Sequence, residues 1–282
     1  MLPVTTTEVF QFDRGQLLEL AQAHRAEYLS AQPFSHIVLD NFCPEWILDD
    51  VLSEFPSPDQ EGWQRFESEN ERKLASVGDT GMGPATRQLL AEFNSATFLD
   101  FLEQLTGIAG LVPDPYFEGG GLHQIVAGGH LNVHVDFNRH PVTGLDRRLN
   151  VLLYLNREWD EAWGGKLELW SPDMQRCEQA VAPVFNRLVV FSTTERSYHG
   201  HPHPLACPPD RSRRSLALYY YSNGRPEEGR GAAPTHNTLW GQQGRDPAAR
   251  TPRERFREIV QRVTPPILLD AVRDARQRRA RP

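Results

Sequence analysis

Apolar residues recur at helical spacing through the first third of the chain and at strand spacing through its middle. From residue 16 to 29, Leu17, Leu20, Ala21, His24 and Tyr28 fall on one helical face. After Pro33 the run His36-Ile37-Val38-Leu39 predicts a short strand. Pro44 suits the first turn of a helix that turns Trp46, Ile47, Val51 and Leu52 inward. The polar, turn-rich stretch 56–83 predicts a long loop. Helical spacing returns over 85–93. It resumes from a Ser95 cap through Phe98, Leu99, Phe101, Leu102 and Leu105, with Gly107 past the end.

The middle of the chain has another period. Residues 131–137, 149–155, 166–170, 187–192 and 215–221 are short β-branched or aromatic runs separated by Gly, Pro, Asn and Asp. Strands at that density predict an antiparallel sandwich or barrel-like jelly roll. The last fifty or so residues return to loop and helix. Helices are expected over 253–262 and 266–278, with Phe256, Ile259, Val260, Val263, Leu268, Leu269 and Val272 inward. The expected organisation is one domain over 1–282. Helical support occupies about 1–110, a mostly β core 111–225 and a helical extension 226–282, an α+β arrangement.

Charge narrows the partners. The formal net charge is −7, unevenly spread. From Arg245 onward eleven arginines face five acids, so the remainder of the chain is strongly acidic. That balance argues against a nucleic-acid binder, and the arginine-rich end reads as a buttress helix with a solvated face. Only Lys73 and Lys166 are lysines. Three scattered cysteines exclude a disulfide framework and a zinc finger. No signal peptide and no membrane-length apolar run is recognisable, so a cytoplasmic protein without a membrane partner is expected. The sequence leaves the oligomeric state open.

The segment Leu131-Asn132-Val133-His134-Val135-Asp136-Phe137 carries the chemistry. Side chains two apart on a strand share a face, so His134 and Asp136 stand side by side while Val133, Val135 and Phe137 pack behind. An HxD pair alone is a weak signal. Here a second run, Ser197-Tyr198-His199-Gly200-His201-Pro202-His203, follows a strand and offers a third ligand. Two histidines and a carboxylate on one face make the facial triad of non-haem Fe(II) oxygenases. Arg213 and Arg214 open the strand 215–221, and an arginine turned into an apolar barrel needs an anionic partner such as a dicarboxylate. Tyr154 could bond the same carboxylate or serve as a core aromatic.

In order, HxD, then Gly164-Gly165-Lys166-Leu167, then a distal histidine, then arginine before a strand, the chain resembles the iron(II)/2-oxoglutarate oxygenases, and within them the prolyl 4-hydroxylase-like branch. The resemblance runs from about His123 to Ser222. It implies a double-stranded β-helix flanked by helices, with Fe(II), 2-oxoglutarate and O2 as cofactor and co-substrates, and ascorbate in some members. It implies His134, Asp136 and His199 as metal ligands and catalytic centre. Arg214 and Tyr154 would hold 2-oxoglutarate, with Arg147, His123 and Asn132 toward the substrate. Fifteen residues separate His199 from Arg214, more than the family's usual spacing. Arg211 and Arg213 therefore compete with Arg214, and His201 competes for the metal.

The expected reaction is hydroxylation of an unactivated C–H bond; a carboxylate at 136 fits this better than halide transfer. The first expectation for substrate is a proline residue in a peptide or protein, and the alternative is a free amino acid or natural product. Two readings from other classes are a metal-binding jelly roll without oxygenase activity and an interaction protein that uses the arginine-rich tail. Trp159, Trp163 and Trp170 line either the mouth or the core, and 56–83 and 204–210 are candidate lids.

Overall fold

The alternation read in the middle of the chain becomes a sheet with two different faces. The structure, a computed structural model, describes residues 9–225 and 234–241. Four helices, α1 (Arg14–Ser30), α2 (Glu45–Ser53), α3 (Pro84–Phe93) and α4 (Ala96–Thr106), precede most of the strands. The caps follow the sequence. Asp13 accepts the N–H of Gln16 at the start of α1, and Ser95 that of Phe98 at the start of α4. Gly107 ends α4 at φ 78°, where a residue with a Cβ would be strained.

The strands are β1 (His36–Asp40), β2 (Gln64–Glu67), β3 (Glu71–Ala75), β4 (Val112–Pro113), β5 (Gly121–Val126), β6 (His130–Val135), β7 (Asp146–Tyr154), β8 (Leu167–Trp170), β9 (Cys177–Val181), β10 (Arg187–Ser192), β11 (His199–His201), β12 (Ser212–Ser222) and β13 (Leu239–Trp240). They pair antiparallel in the order β1-β10-β7-β12-β5-β3-β6-β11-β8-β9 and curl into a nearly closed barrel, the jelly roll expected. Successive side chains along β7, β10 and β12 go to opposite faces. Leu149, Val151 and Leu153, Leu188 and Val190, and Leu216, Leu218 and Tyr220 join Phe93, Phe98, Phe101 and Leu105 in the helix-side core. Each such side chain contributes roughly 1.5–3 kcal/mol on burial. The Tyr220 hydroxyl donates to the Phe93 carbonyl at 2.8 Å, which ties β12 to the end of α3. The other face gathers Tyr154, Leu167, Leu169, Val189 and Phe191 inside the barrel.

One expectation is corrected. Residues 56–83 are not an open loop, because β2 and β3 form a hairpin within them. Charged residues fill that hairpin and hide it from a hydrophobicity pattern. Its order comes from pairing, with Leu74 opposite Gln124 of β5 and Glu71 opposite Leu131 of β6. β5, β9 and β11 also went unpredicted. The helices expected over 253–262 and 266–278 lie outside the described residues. Among the described residues, no helix is long and apolar enough to cross a membrane, and Cys43, Cys177 and Cys207 are free thiols.

Candidate active site

β6 and β11 bring the site together. They pair with His134 directly opposite His199, and the two rings lie 4.5 Å apart. Gly200 permits that approach, since a Cβ there would stand 2.8 Å from the Leu131 carbonyl oxygen and 2.9 Å from that of Asn132. Asp136 follows β6 immediately, and its oxygens lie 3.5 Å from His134 Nε2 and 3.4 Å from His199 Nε2. One ligand atom from each of the three residues falls within 4.8 Å of the others, and His134, Asp136 and His199 are the one such group among the described residues.

The imidazoles are oriented to ligate. Nδ1 of His134 is 2.9 Å from the Asn132 carbonyl, and Nδ1 of His199 is 2.9 Å from that of Ser197. A carbonyl only accepts, so Nδ1 carries the proton and Nε2 turns a lone pair toward Asp136. Burial pushes the His199 imidazole down to about 4, with Asp136 opposing, so it stays neutral. Burial works to raise the Asp136 carboxyl, but the Arg147 guanidinium beside it outweighs this and holds it well below the usual carboxylate range. Two imidazole nitrogens and one anionic carboxylate suit Fe(II), with the opposite side left for exogenous ligands.

The carboxylate is itself held in place. Asn150 donates from Nδ2 to Asp136 Oδ2 at 2.8 Å, and Arg147 Nη2 lies 3.2 Å from the same oxygen. Arg147 also donates twice to Asn150 Oδ1, and its guanidinium stacks 3.5 Å from the Tyr219 ring centroid and 4.5 Å from that of Phe137. Arg147, expected to contact substrate, is therefore fully buried and engaged with the Asp136 carboxylate.

The structure places the three competing arginines differently. β12 begins at Ser212, so Arg213 shares a face with Ser215, Ala217 and Tyr219 and points into the barrel, while Arg214 points out. Arg213 is 5% exposed. It donates from Nε to the Gly165 carbonyl at 2.8 Å and from Nη2 to the Tyr154 hydroxyl at 3.1 Å. Both partners are neutral, and no carboxylate among the described residues pairs with it. Gly165 explains the Gly-Gly pair, because it sits at φ 71° and a Cβ would reach within 3.1 Å of Arg213 Cδ. Arg214 instead bonds Ser212 Oγ and lies over the Phe55 ring, half-buried outside the barrel. Arg211 pairs at the surface with Glu158.

The remaining expected residues divide. Tyr154 is fully buried and inward. His123 lies in one row with Ala75, Ser215 and Tyr154 across β3, β5, β12 and β7, so it faces the same interior. Its Nε2 bonds the Gly119 carbonyl at 3.0 Å, and burial followed by the charge of Lys73 lowers the ring to about 3. The Asn132 side chain donates to the Glu69 carbonyl and Asn70 Oδ1, so it pins the β2–β3 turn and does not reach the metal trio. His201 stands outside that trio, and His203 is exposed.

Several site residues were not legible beforehand. Phe191 packs edge-on against His199 with centroids 4.7 Å apart, Trp240 of β13 lies 5.3 Å from the His134 ring, and Asn150 holds Asp136. Apolar residues at 216, 218 and 220 were the available signal for Arg213, since they assign the even positions of β12 to the helix side.

Comparison with known proteins agrees with this geometry. Residues 120–221 match the family model of the 2OG-Fe(II) oxygenase superfamily. A prolyl hydroxylase from Trichoplax adhaerens, solved in complex with a hypoxia inducible factor oxygen degradation domain peptide fragment, aligns with TM-score 0.55 and 18% identity over 74% of this chain and 91% of that one. A prolyl-4-hydroxylase from Pseudomonas putida aligns with TM-score 0.52 and 20% identity over 74% of this chain and 100% of its own. Prolyl 4-hydroxylase from Phytophthora capsici gives TM-score 0.52 and 22% identity over 83% and 74%. No curated protein matches the sequence at a significant level. Residues 120–221 belong to the 2OG-Fe(II) oxygenase superfamily, and the chain is a 2-oxoglutarate-dependent dioxygenase built on the double-stranded β-helix fold that the prolyl hydroxylases share.

Proposed function

We propose that the enzyme hydroxylates a prolyl residue in a peptide or protein, with Fe(II) on His134, Asp136 and His199 and the distal carboxylate of 2-oxoglutarate on Arg213 and Tyr154. The observation that carries the co-substrate assignment is the buried guanidinium of Arg213, which faces the interior with only neutral partners. A buried unpaired cation is costly, and a carboxylate completes it through a charge-assisted bond that Tyr154 extends. Support for the prolyl substrate comes from the fold shared with prolyl hydroxylases and from the aromatic surface of Trp240 beside His134, which suits a pyrrolidine ring.

Bound Fe(II) supplies the redox chemistry that couples O2 and 2-oxoglutarate consumption to hydroxylation. The chain's own residues do the rest. His134 and His199 present lone pairs, and Asp136 adds the negative charge that Arg147 and Asn150 hold in line. Leu167, Leu169, Val189 and Phe191 form an apolar wall that keeps water from the interior.

Anaerobic addition of Fe(II) and 2-oxoglutarate should produce a metal-to-ligand charge-transfer band, and its absence would remove the co-substrate assignment. Succinate formation and a gain of one oxygen should then follow from proline-containing peptides. If free amino acids or small natural products alone are turned over, the prolyl reading is wrong and the small-molecule alternative takes its place.

A further inference from the structure

β11 carries a second histidine that the trio does not use. His201 is 3% exposed, and neither ring nitrogen meets solvent or any hydrogen-bond partner. A buried imidazole always has at least one polar N–H, and leaving it unsatisfied is costly. Two residues beyond His199 on β11 and opposite Leu131 of β6, His201 shares the inward face of His199. In either tautomer the imidazole has an N–H to give. β11 pairs antiparallel with β8, Gly200 opposite Glu168, so His201 comes level with Leu167, two residues from the Gly165 whose carbonyl accepts from Arg213, and Arg213 also lacks a charged partner. The barrel interior therefore holds a buried guanidinium with only neutral partners and a buried imidazole with none.

We infer that His201 donates a hydrogen bond to the distal carboxylate of 2-oxoglutarate beside Arg213 and Tyr154, and so selects for a dicarboxylate 2-oxoacid. This rests on the assignment of that carboxylate to Arg213. A carboxylate has roughly four lone-pair sites, enough for guanidinium, phenol and imidazole together. His201 lies outside the 4.8 Å metal-ligand set, so its role is toward the co-substrate and not the metal.

The test compares two ligands on metal-loaded protein in the absence of O2. 2-Oxoglutarate and 2-oxopentanoate share a five-carbon chain, but the second ends in a methyl group. Calorimetric titration of Mn(II)-loaded wild type and His201→Leu should show 2-oxoglutarate affinity about tenfold weaker in the variant. Affinity for 2-oxopentanoate should stay within about twofold, and Mn(II) affinity without either ligand should not change. A ring that only fills space would weaken both ligands alike, and that result overturns the inference, as does unchanged 2-oxoglutarate binding. Loss of Mn(II) binding would make His201 a metal ligand and overturn it as well. If the leucine variant does not fold, His201→Phe, an aromatic ring without a donor, serves in the same comparison. Failure of wild type to bind 2-oxoglutarate sinks the co-substrate assignment and this inference with it. Binding by wild type with an indifferent variant removes His201 alone.

Discussion

Arg147 Nη2 lies 3.2 Å from Asp136 Oδ2, and Asn150 bonds both residues. The guanidinium is fixed between Tyr219 and Phe137, so the ligating carboxylate cannot rotate without breaking a buried network. Arg147→Met should weaken metal retention by about 10–100-fold, the usual effect of removing a group that holds a ligand. Fe(II) or Mn(II) titration of the folded variant checks this; wild-type metal affinity would show that Asp136 needs no support from Arg147.

The two adjacent arginines of β12 should separate cleanly. Arg213→Met removes charged hydrogen bonds worth about 1.5–3 kcal/mol, so the apparent KM for 2-oxoglutarate should rise roughly tenfold to a hundredfold. Arg214→Ala, outside the barrel, should leave it within about threefold. Steady-state turnover at varied 2-oxoglutarate reads both variants, and the reverse pattern would return the co-substrate to Arg214.

Gly200 allows β11 to lie close against β6, and an added methyl would meet two carbonyl oxygens at under 3 Å. Gly200→Ala should move His199 relative to His134. A ligand displaced by about 1 Å lowers turnover on the order of a hundredfold. Metal affinity should fall with it, while circular dichroism continues to report a folded chain. Wild-type metal binding in this variant would mean that β11 adjusts elsewhere.

Acid should weaken the metal-free protein through its buried histidines. His123 and His199 are held down to about 3 and about 4 by burial, and His201 is also lowered. The unfolded chain takes up protons at the ordinary histidine value of about 6.5, where the folded protein does not. Stability is therefore full above that value and is lost as pH falls toward the folded values. Melting temperature in chelator should drop between about pH 7 and pH 5, and the slope should be shallower in His123→Asn. A flat profile would mean that these rings are protonated in the folded state.

What the sequence disclosed depended on whether a residue's role was written in its immediate neighbours. Ser95 and Gly107 announce the two ends of α4 because capping is local. His134 and Asp136 share a face because the strand around them alternates. The β2–β3 hairpin was hidden because Glu71, Arg72 and Lys73 look like loop residues, and the order of β3 comes from β5 and β6, about fifty to sixty positions away. Arg213 was missed in favour of Arg214 because a strand's phase, not its presence, decides which arginine turns inward. That phase is fixed by Leu216, Leu218 and Tyr220, which pack into the helix-side core. His201 gave no signal at all, since the absence of a hydrogen-bond partner is a property of three-dimensional surroundings.

The two-faced strands have a consequence for how this enzyme can change. On β12 the even positions 216, 218 and 220 belong to the helix-side core, and the odd positions 213, 215, 217 and 219 to the catalytic chamber. β7 and β10 divide in the same manner. Parity along one strand thus sorts mutations into two nearly independent ledgers, thermal robustness on one side and ligand choice on the other. A lineage, or a directed-evolution library, can explore new pockets at odd codons of β12 while its even codons keep the scaffold standing.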